Sequence, residues 1–400
     1  MRKNFARLFE AMWEKSIKVG VAVIVLLIVS GCTSTPQRNT SELSEGFKPL
    51  NIEHARFWDG DNTNLAGYDF LREYETLLLH KPADEPVRYL ALSGGGVNGA
   101  FAAGILNAWS DTGQRPDFDV ISGISTGAIV SVFAYLGESY DEALKSYYTE
   151  TTLDEMFKRN SFLSMVSRNA IVDVSGFEKK VRDAVDQDML SALAAERDKG
   201  RLLLIGTTNL DYEKLALWDI GRIAKHGSPE SMELIQDIII ASSSIPGLFP
   251  AKLINVYDGE HQLDELHVDG GVSRQVFFAP QWIRKTIVEE ERGQEVYVIR
   301  NGRLRPTYRV IDYDLATISA RSLSSLTRNQ GVGDVDFIYY FCRHNSIDFM
   351  LAHIDSDFEY FAEDEEPLEY MRWLYEYGYS KVINNDAWSD IPPSMEPMLN

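Results

Sequence analysis

Two short apolar segments, each ending in a glycine-rich turn and followed by a helical pattern, lie within residues 87–136. The first reads VRYLALS and runs into GGGVNG, and the second reads DFDVISGIS. Apolar residues recur at helical spacing after each turn, which indicates helices that begin where the strands end. Alternating buried strands and helices are typical of βαβ units. The region therefore predicts an α/β fold with a mostly parallel sheet.

The rest of the chain continues this alternation. Further strands are predicted at RLLLIGTTNL, DELHVD and EVYVIRN. The segment SGFEKKVRDAVDQDMLSALAAERDKG predicts one or two surface helices, and SMELIQDIIIASSSI predicts a more buried helix that Pro246 stops. The aromatic segment YMRWLYEYGY predicts a helix that packs against the sheet.

The charge of the chain restricts its partners. It carries 60 acidic and 39 basic residues, a net charge of −21. Nucleic acid is excluded as a partner because its binding needs a basic surface. The same charge opposes contact with an anionic bilayer, so any membrane attachment is expected to come from an anchor rather than a basic face.

The N-terminus has the pattern of an export signal. Residues 1–18 carry five basic and two acidic side chains, and VGVAVIVLLIV follows over residues 19–29. Eleven apolar residues are too few to span about 30 Å of hydrocarbon as a helix, but they suit a secretory signal. Val29 and Ser30-Gly31-Cys32 resemble the bacterial lipobox. The alternative is an uncleaved signal anchor with an incidental cysteine.

The lipobox interpretation divides the chain into three parts. It predicts a signal peptide over residues 1–31, a lipidated Cys32 with a polar tether over 32–48, and one domain with a C-terminal helical extension over 49–400. The residue after the cysteine is Thr33 rather than the aspartate that retains many lipoproteins at the inner membrane. A bacterial lipoprotein of the outer membrane, facing the periplasm, is therefore expected.

The segment Gly123-Ile124-Ser125-Thr126-Gly127 fits the pattern G-x-S-x-G between a predicted strand and a predicted helix. In that context the chain reverses so tightly that the serine adopts strained backbone geometry, and only glycines on either side avoid collision. The helix N-terminus also favours negative charge on the serine oxygen. Ser125 is therefore a candidate nucleophile.

The glycine-rich loop before it contains a literal G-x-G-x-x-G at Gly94, Gly96 and Gly99. Such a loop could hold a dinucleotide pyrophosphate, or it could offer backbone N–H groups to an oxyanion. A dinucleotide site needs an acidic residue at the end of the second strand, about 20 residues further on. Asp117 and Asp119 precede the apolar strand residues VISGI, and Ser125 is the residue at the end of that strand. The spacing therefore favours an oxyanion loop.

A serine nucleophile also needs a base, and two interpretations are open. His267 lies two residues before Asp269, on the same face of a predicted strand, and could serve in a Ser-His-Asp triad. Alternatively, Asp269 of the segment DGG takes the serine proton directly. An exposed aspartate, with a pKa of about 3.9, is too weak a base for this role, so the second interpretation requires a buried site.

Together, GGGVNG, GISTG and DGG in this order resemble the patatin-like phospholipase family. The resemblance implies a three-layer α/β/α fold and a catalytic dyad of Ser125 and Asp269 without histidine. It further implies an oxyanion hole made by Gly94, Gly95 and Gly96. It covers about residues 57–393, including the segments IIIASSSIPGLFPA and YVIRNGRL. Asn98 departs from the pattern, because many members carry Arg or Lys there.

The expected function is that of a lipid acyl hydrolase of the phospholipase A or esterase type, acting through an acyl-enzyme. The resemblance implies no cofactor and no metal, and its partners are a membrane lipid or acyl-ester substrate and a membrane reached through the N-terminal anchor. Two alternatives stay open: a catalytically silent lipid-binding or regulatory lipoprotein, and an acyltransferase with the same dyad. The sequence does not distinguish water from another alcohol as the acceptor.

Overall fold

The structure is a computed structural model. It describes residues 38–42, 46–59, 66–159, 171–279, 292–359 and 367–396. The predicted signal peptide, Cys32 and the greater part of the predicted tether lie outside the described residues.

The strands, in chain order, are β1 (Arg56–Trp58), β2 (Val87–Leu92), β3 (Val120–Ile124), β4 (Lys158–Arg159), β5 (Val172–Asp173), β6 (Leu202–Asn209), β7 (Lys214–Asp219), β8 (Lys252–Asp258), β9 (His261–Asp269), β10 (Gln294–Arg303) and β11 (Asp348–Ile354). All the predicted strands form. The antiparallel partners β7 and β8 were not predicted.

The helices are α1 (Ala66–His80), α2 (Gly99–Asp111), α3 (Thr126–Leu136), α4 (Asp141–Thr149), α5 (Leu153–Met156), α6 (Ser175–Ala184), α7 (Gln187–Asp198), α8 (Ile220–Ala224), α9 (Pro229–Ser242), α10 (Leu315–His344) and α11 (Pro367–Ile383). No helix within the described ranges is both long and apolar enough to cross a membrane.

The main sheet is ordered β1-β7-β6-β3-β2-β10-β11. In this order, β6, β3, β2, β10 and β11 are parallel to their neighbours, whereas β7 runs antiparallel to β6. Strands β8 and β9 form a hairpin, and β9 pairs antiparallel with the carboxyl end of β6. The carboxyl ends of β2, β3 and β10 therefore lie at one edge of the sheet, where ligands bind in open α/β folds.

Helices cover both faces of the sheet. Alternate strand residues point to opposite faces, and each face forms its own apolar cluster. One cluster includes buried residues of α2, α3, α9 and α11, and the other includes those of α1 and α10. The prediction of a three-layer α/β/α fold with a mostly parallel central sheet is confirmed.

One predicted contact differs. The aromatic segment forms α11, but this helix packs on α2 rather than directly on the sheet. A Cβ on Gly104 of α2 would lie 2.1 Å from the carbonyl oxygen of Tyr375, and a Cβ on Gly378 of α11 would lie 2.4 Å from that of Phe101. Glycines on each helix thus let the two backbones approach closely, and the aromatic rings pack around this contact.

Candidate active site

Ser125 lies in the tight turn between β3 and α3. Its backbone has φ 55° and ψ −125°, outside the regions that side-chain-bearing residues ordinarily occupy. The turn closes so tightly that a Cβ on Gly123 would lie 2.4 Å from the carbonyl oxygen of Gly127. The buried hydroxyl of Ser125 is thereby presented at the N-terminus of α3.

A serine from another helix holds this turn. The N–H of Ser125 donates to the hydroxyl oxygen of Ser242 at 2.9 Å, and that hydroxyl donates to the carbonyl of Gly206 at 2.7 Å. Ser242 is the last residue of α9, which ends four residues before the predicted stop at Pro246. This support was not predicted, because its signal in the sequence is only a run of serines at the end of an apolar helix.

Strand β6 brings Asp269 to Ser125. Its residue Gly206 pairs with Ile124, the last residue of β3, and its next residue, Thr207, pairs with Asp269 on β9. Two segments separated by more than 140 residues therefore meet at consecutive positions of one strand. This antiparallel extension of β6 beyond β3 was not predicted, although both residues that it joins were.

The carboxylate of Asp269 is buried and hydrogen-bonded. The hydroxyl of Ser125 lies beside it and lowers its pKa. The N–H of Gly271 donates to its Oδ1 at 2.7 Å. Burial raises the pKa of Asp269 from an ordinary value of 3.8 to about 6, and the neighbouring Ser125 hydroxyl and Gly271 N–H partly oppose the rise. The group is therefore a stronger base than an exposed aspartate and is still ionised at neutral pH.

The glycine loop lies against the serine. A Cβ on Gly94 would be 3.3 Å from the Cβ of Ser125. However, the N–H of Gly94 donates to the carbonyl of Gln275 at 3.0 Å. This bond engages the N–H of Gly94, one of the three glycines that the family resemblance assigns to the oxyanion hole. In the described part of the chain, the N–H groups of Gly95 and Gly96 donate to no other residue and remain open to a ligand.

A buried arginine at the end of β10 orients the loop. The Nη1 of Arg300 donates to the carbonyl of Gly94 at 2.5 Å and to the hydroxyl of Ser93 at 3.0 Å. The peptide bond between Gly94 and Gly95 is trans, so the N–H of Gly95 points away from this arginine. Burial lowers the pKa of Arg300 to about 10, which leaves the guanidinium charged at neutral pH. Arg300 was not predicted to belong to the site.

His267 lies in a different network. Its Nδ1 is 2.9 Å from the hydroxyl of Thr207, and its Nε2 is 3.1 Å from the carboxylate of Glu265. Burial lowers the pKa of His267. Both ring nitrogens are engaged away from Ser125, and the structure describes no hydrogen bond between His267 and the serine. The geometry thus supports the two-residue interpretation over the triad.

Asn98, the position that departs from the family pattern, makes a hydrogen bond with α11. Its Oδ1 accepts a hydrogen bond from the hydroxyl of Tyr370 at 2.8 Å. The loop end is thereby tied to α11. In the residues described, no three His, Cys, Asp or Glu side chains converge as they would around a metal ion.

The chain is similar to one protein family and to two solved structures. The model of the patatin-like phospholipase family matches residues 90–280. The crystal structure of VipD from Legionella pneumophila is 12% identical, with a TM-score of 0.36, and the match covers 76% of this chain and 68% of that one. Human GIVD cytosolic phospholipase A2 is 12% identical, with a TM-score of 0.27, and the match covers 75% of this chain and 52% of that one.

No curated protein matches the sequence of the chain. The family match includes the glycine loop, Ser125 and Asp269. Residues 90–280 are therefore similar to the patatin-like phospholipase family, and this similarity supports a lipid hydrolase function.

Proposed function

We propose that the chain is a lipid acyl hydrolase of the phospholipase A or esterase type, with Ser125 as nucleophile and Asp269 as its base. The observation that carries this proposal is the closeness of Ser125 to the buried carboxylate of Asp269, since Ile124 of β3 and Asp269 of β9 pair with consecutive residues of β6. A nucleophile paired with a base of raised pKa is the arrangement that acyl transfer requires. The family of the domain supplies the lipid as substrate class.

In the first half of the reaction, the Oγ of Ser125 attacks the ester carbonyl carbon while Asp269 takes the hydroxyl proton. The carbonyl oxygen becomes an oxyanion, which the N–H groups of Gly95 and Gly96 stabilise together with the N-terminus of α3. The tetrahedral intermediate then collapses, and the bond to the alcohol oxygen breaks. Asp269 returns its proton to that oxygen, and the alcohol or lysolipid leaves.

In the second half, water attacks the carbonyl carbon of the acylated Ser125. Asp269 takes a proton from the water, and the same donors stabilise the second oxyanion. Collapse breaks the bond to the serine oxygen, which recovers its proton from Asp269, and the fatty acid leaves. An acyltransferase would use the same steps with another alcohol in place of water.

Arg300 acts in this scheme as a positioning residue. Its hydrogen bond to the carbonyl of Gly94 fixes the peptide whose other side carries the N–H of Gly95. Preorganised donors lower the barrier because they need no rearrangement as charge develops. The lipid anchor at Cys32 stays a prediction from the sequence, and it would place this site beside its substrate.

The proposal is tested by incubating the purified chain with phospholipid vesicles and analysing the products by mass spectrometry. We expect free fatty acid and lysophospholipid in equal amounts, and neither with Ser125→Ala. An added alcohol that captures the acyl group in place of water would identify an acyltransferase. If no acyl bond of phospholipids or simple esters is cleaved by folded protein, the silent-lipoprotein alternative is favoured instead.

A further inference from the structure

The segment after β10 and the first turns of α10 form an exposed apolar region, called here the arm (residues 305–328). Nine large apolar side chains in the described residues are at least half exposed, and six of them lie in the arm. They are Tyr308, Val310, Tyr313, Leu315, Leu323 and Leu326. Scattered exposed apolar residues are normal in soluble proteins, but a contiguous group marks an interaction surface.

The helical part of the arm is amphipathic. At 100° per residue, Leu315, Leu323 and Leu326 fall on one face of α10, while Arg321 and Arg328 fall on the opposite face. Asp314 caps the helix by accepting a hydrogen bond from the N–H of Thr317 at 3.0 Å. The first turns are therefore well-formed helix with an exposed apolar face.

The arm is basic in an otherwise acidic protein. It contains four arginines, two aspartates and no lysine or glutamate, a net charge of +2, whereas the whole chain carries −21. Arg321 and Arg328 donate to the backbone carbonyls of Thr307 and Leu304. Neither they nor Arg309 has an acidic partner among the residues that the structure describes. Their charge is therefore available to an anionic partner within a Debye length of about 8 Å.

The arm lies at the edge of the sheet that carries the candidate active site. Gln275, four residues after Gly271, donates from its backbone N–H to Asp334 of α10 at 2.7 Å. A Cβ on Gly331 would lie 2.8 Å from the guanidinium of Arg300. The helix is thus packed beside the glycine loop from about residue 328 onward, and residues 315–327 extend about 20 Å beyond that contact.

We propose that the arm is the surface by which the enzyme rests on a phospholipid bilayer with anionic headgroups. Apolar side chains on one helix face, with arginines on the other, match a helix that lies in the membrane interface. Tyrosines suit the same boundary, because their rings are apolar and their hydroxyls are polar. The position of the arm beside the loop of Gly95 would hold the active-site edge against the bilayer.

This inference deepens the proposed function and rests on it only for the lipid nature of the substrate. The net charge of −21 opposes contact with an anionic bilayer. The arm is a local exception to that average, which composition alone does not reveal.

The test is cosedimentation of the full chain with vesicles of phosphatidylcholine alone or mixed with phosphatidylglycerol. All proteins carry Cys32→Ser and Ser125→Ala, so that neither lipidation nor turnover contributes. One variant adds Leu323→Gln and Leu326→Gln, which keep helix propensity. Its control is Leu79→Gln, a leucine of α1 that is at least as exposed as Leu323 and Leu326 and that lies just before β2, near the opposite edge of the sheet.

A second pair of variants tests charge. Arg309→Gln with Arg321→Gln removes two cations, and Arg309→Lys with Arg321→Lys retains them. We expect Leu323→Gln with Leu326→Gln, called the leucine pair, to weaken binding to anionic vesicles about tenfold or more. We expect the same of Arg309→Gln with Arg321→Gln. The variant with Arg309→Lys and Arg321→Lys should bind like the parent, and so should Leu79→Gln. Added salt should weaken the binding of the parent to anionic vesicles.

Equal binding of the parent to both vesicle types would overturn the proposal, and so would full binding by the leucine pair. If the leucine pair instead converts a dimer to a monomer and leaves vesicle binding unchanged, the arm is a self-association surface. Hydrolysis of a soluble ester by the same arm variants, with Ser125 intact, should equal that of the parent. Absence of that activity from the protein that has Ser125 and an unchanged arm would refute the proposed function, whereas vesicle binding reports on the arm alone.

Discussion

Replacing Asp269 with Asn should lower kcat/KM on a soluble acyl ester by about 10³-fold or more. General-base catalysis contributes about 10²–10⁴-fold in enzymes, and a serine hydroxyl without a base is a poor nucleophile. The amide of Asn can fill the same space but cannot take the proton. Steady-state kinetics on the purified variant would measure the loss.

The pH profile and the stability of the same variant make the prediction specific. Activity of the parent should rise as pH increases through about 6, because the carboxylate must be ionised, and this step should be absent from any residual activity of Asp269→Asn. The folded pKa lies above the ordinary value, so the folded state binds the proton more tightly. The contribution of this proton to the free energy of unfolding is therefore fully present below pH 4 and is lost as pH rises through about 6.

The rise in the pKa of Asp269 from 3.8 to about 6 corresponds to about 3 kcal/mol. Because Asn is uncharged, Asp269→Asn should be more stable than the parent at pH 8 by up to that amount. A higher melting temperature would show that lost activity is not lost folding. The matched control is His267→Gln, two positions earlier on the same strand, whose folded protein should keep most of its activity. Activity retained by Asp269→Asn and abolished by His267→Gln would establish the triad instead.

Replacing Gly95 with Ala should lower kcat by about 10²–10³-fold with little change in KM. The new Cβ would lie 2.0 Å from the carbonyl oxygen of Asn301, so the loop must shift. The N–H of Gly95 would move from its position, and losing one oxyanion donor typically costs this much. An effect confined to kcat is the sign of an interaction made in the transition state.

Gly96→Ala provides the comparison. A Cβ on Gly96 meets nothing within 4 Å, although its φ of 58° makes alanine unfavourable by about 1–2 kcal/mol. This variant keeps both N–H groups and should lose far less activity than Gly95→Ala. Equal and small losses in the two variants, with both proteins folded, would remove Gly95 from the oxyanion site.

Local patterns predicted the elements that carry the candidate site. The strand before the glycine loop, the turn at Ser125 and the strand that ends at Asp269 each depend on residues adjacent in sequence. Tight turns need glycine at fixed positions, and buried strands need apolar runs, so both leave a direct signal. The family resemblance then linked the three segments, and the structure places them together.

The supporting contacts could not be predicted in the same way. Gln275 takes the N–H of Gly94, Arg300 holds the carbonyl of that glycine, and Ser242 holds the turn at Ser125. Each contact joins segments far apart in the chain, and a single polar residue has no periodicity that indicates its partner. Helix α10 was not predicted either. Its first turns are exposed and carry serines and threonines, so they lack the regular apolar spacing that indicates a buried helix face.

We expect Ser125 to be an activated nucleophile beside a working oxyanion site. The most direct test of this expectation is to treat the folded chain with a fluorophosphonate and locate the adduct by mass spectrometry. We predict a single adduct on Ser125, absent from Ser125→Ala and formed much more slowly by Asp269→Asn. No adduct on folded protein, or an adduct on another serine, would contradict the account.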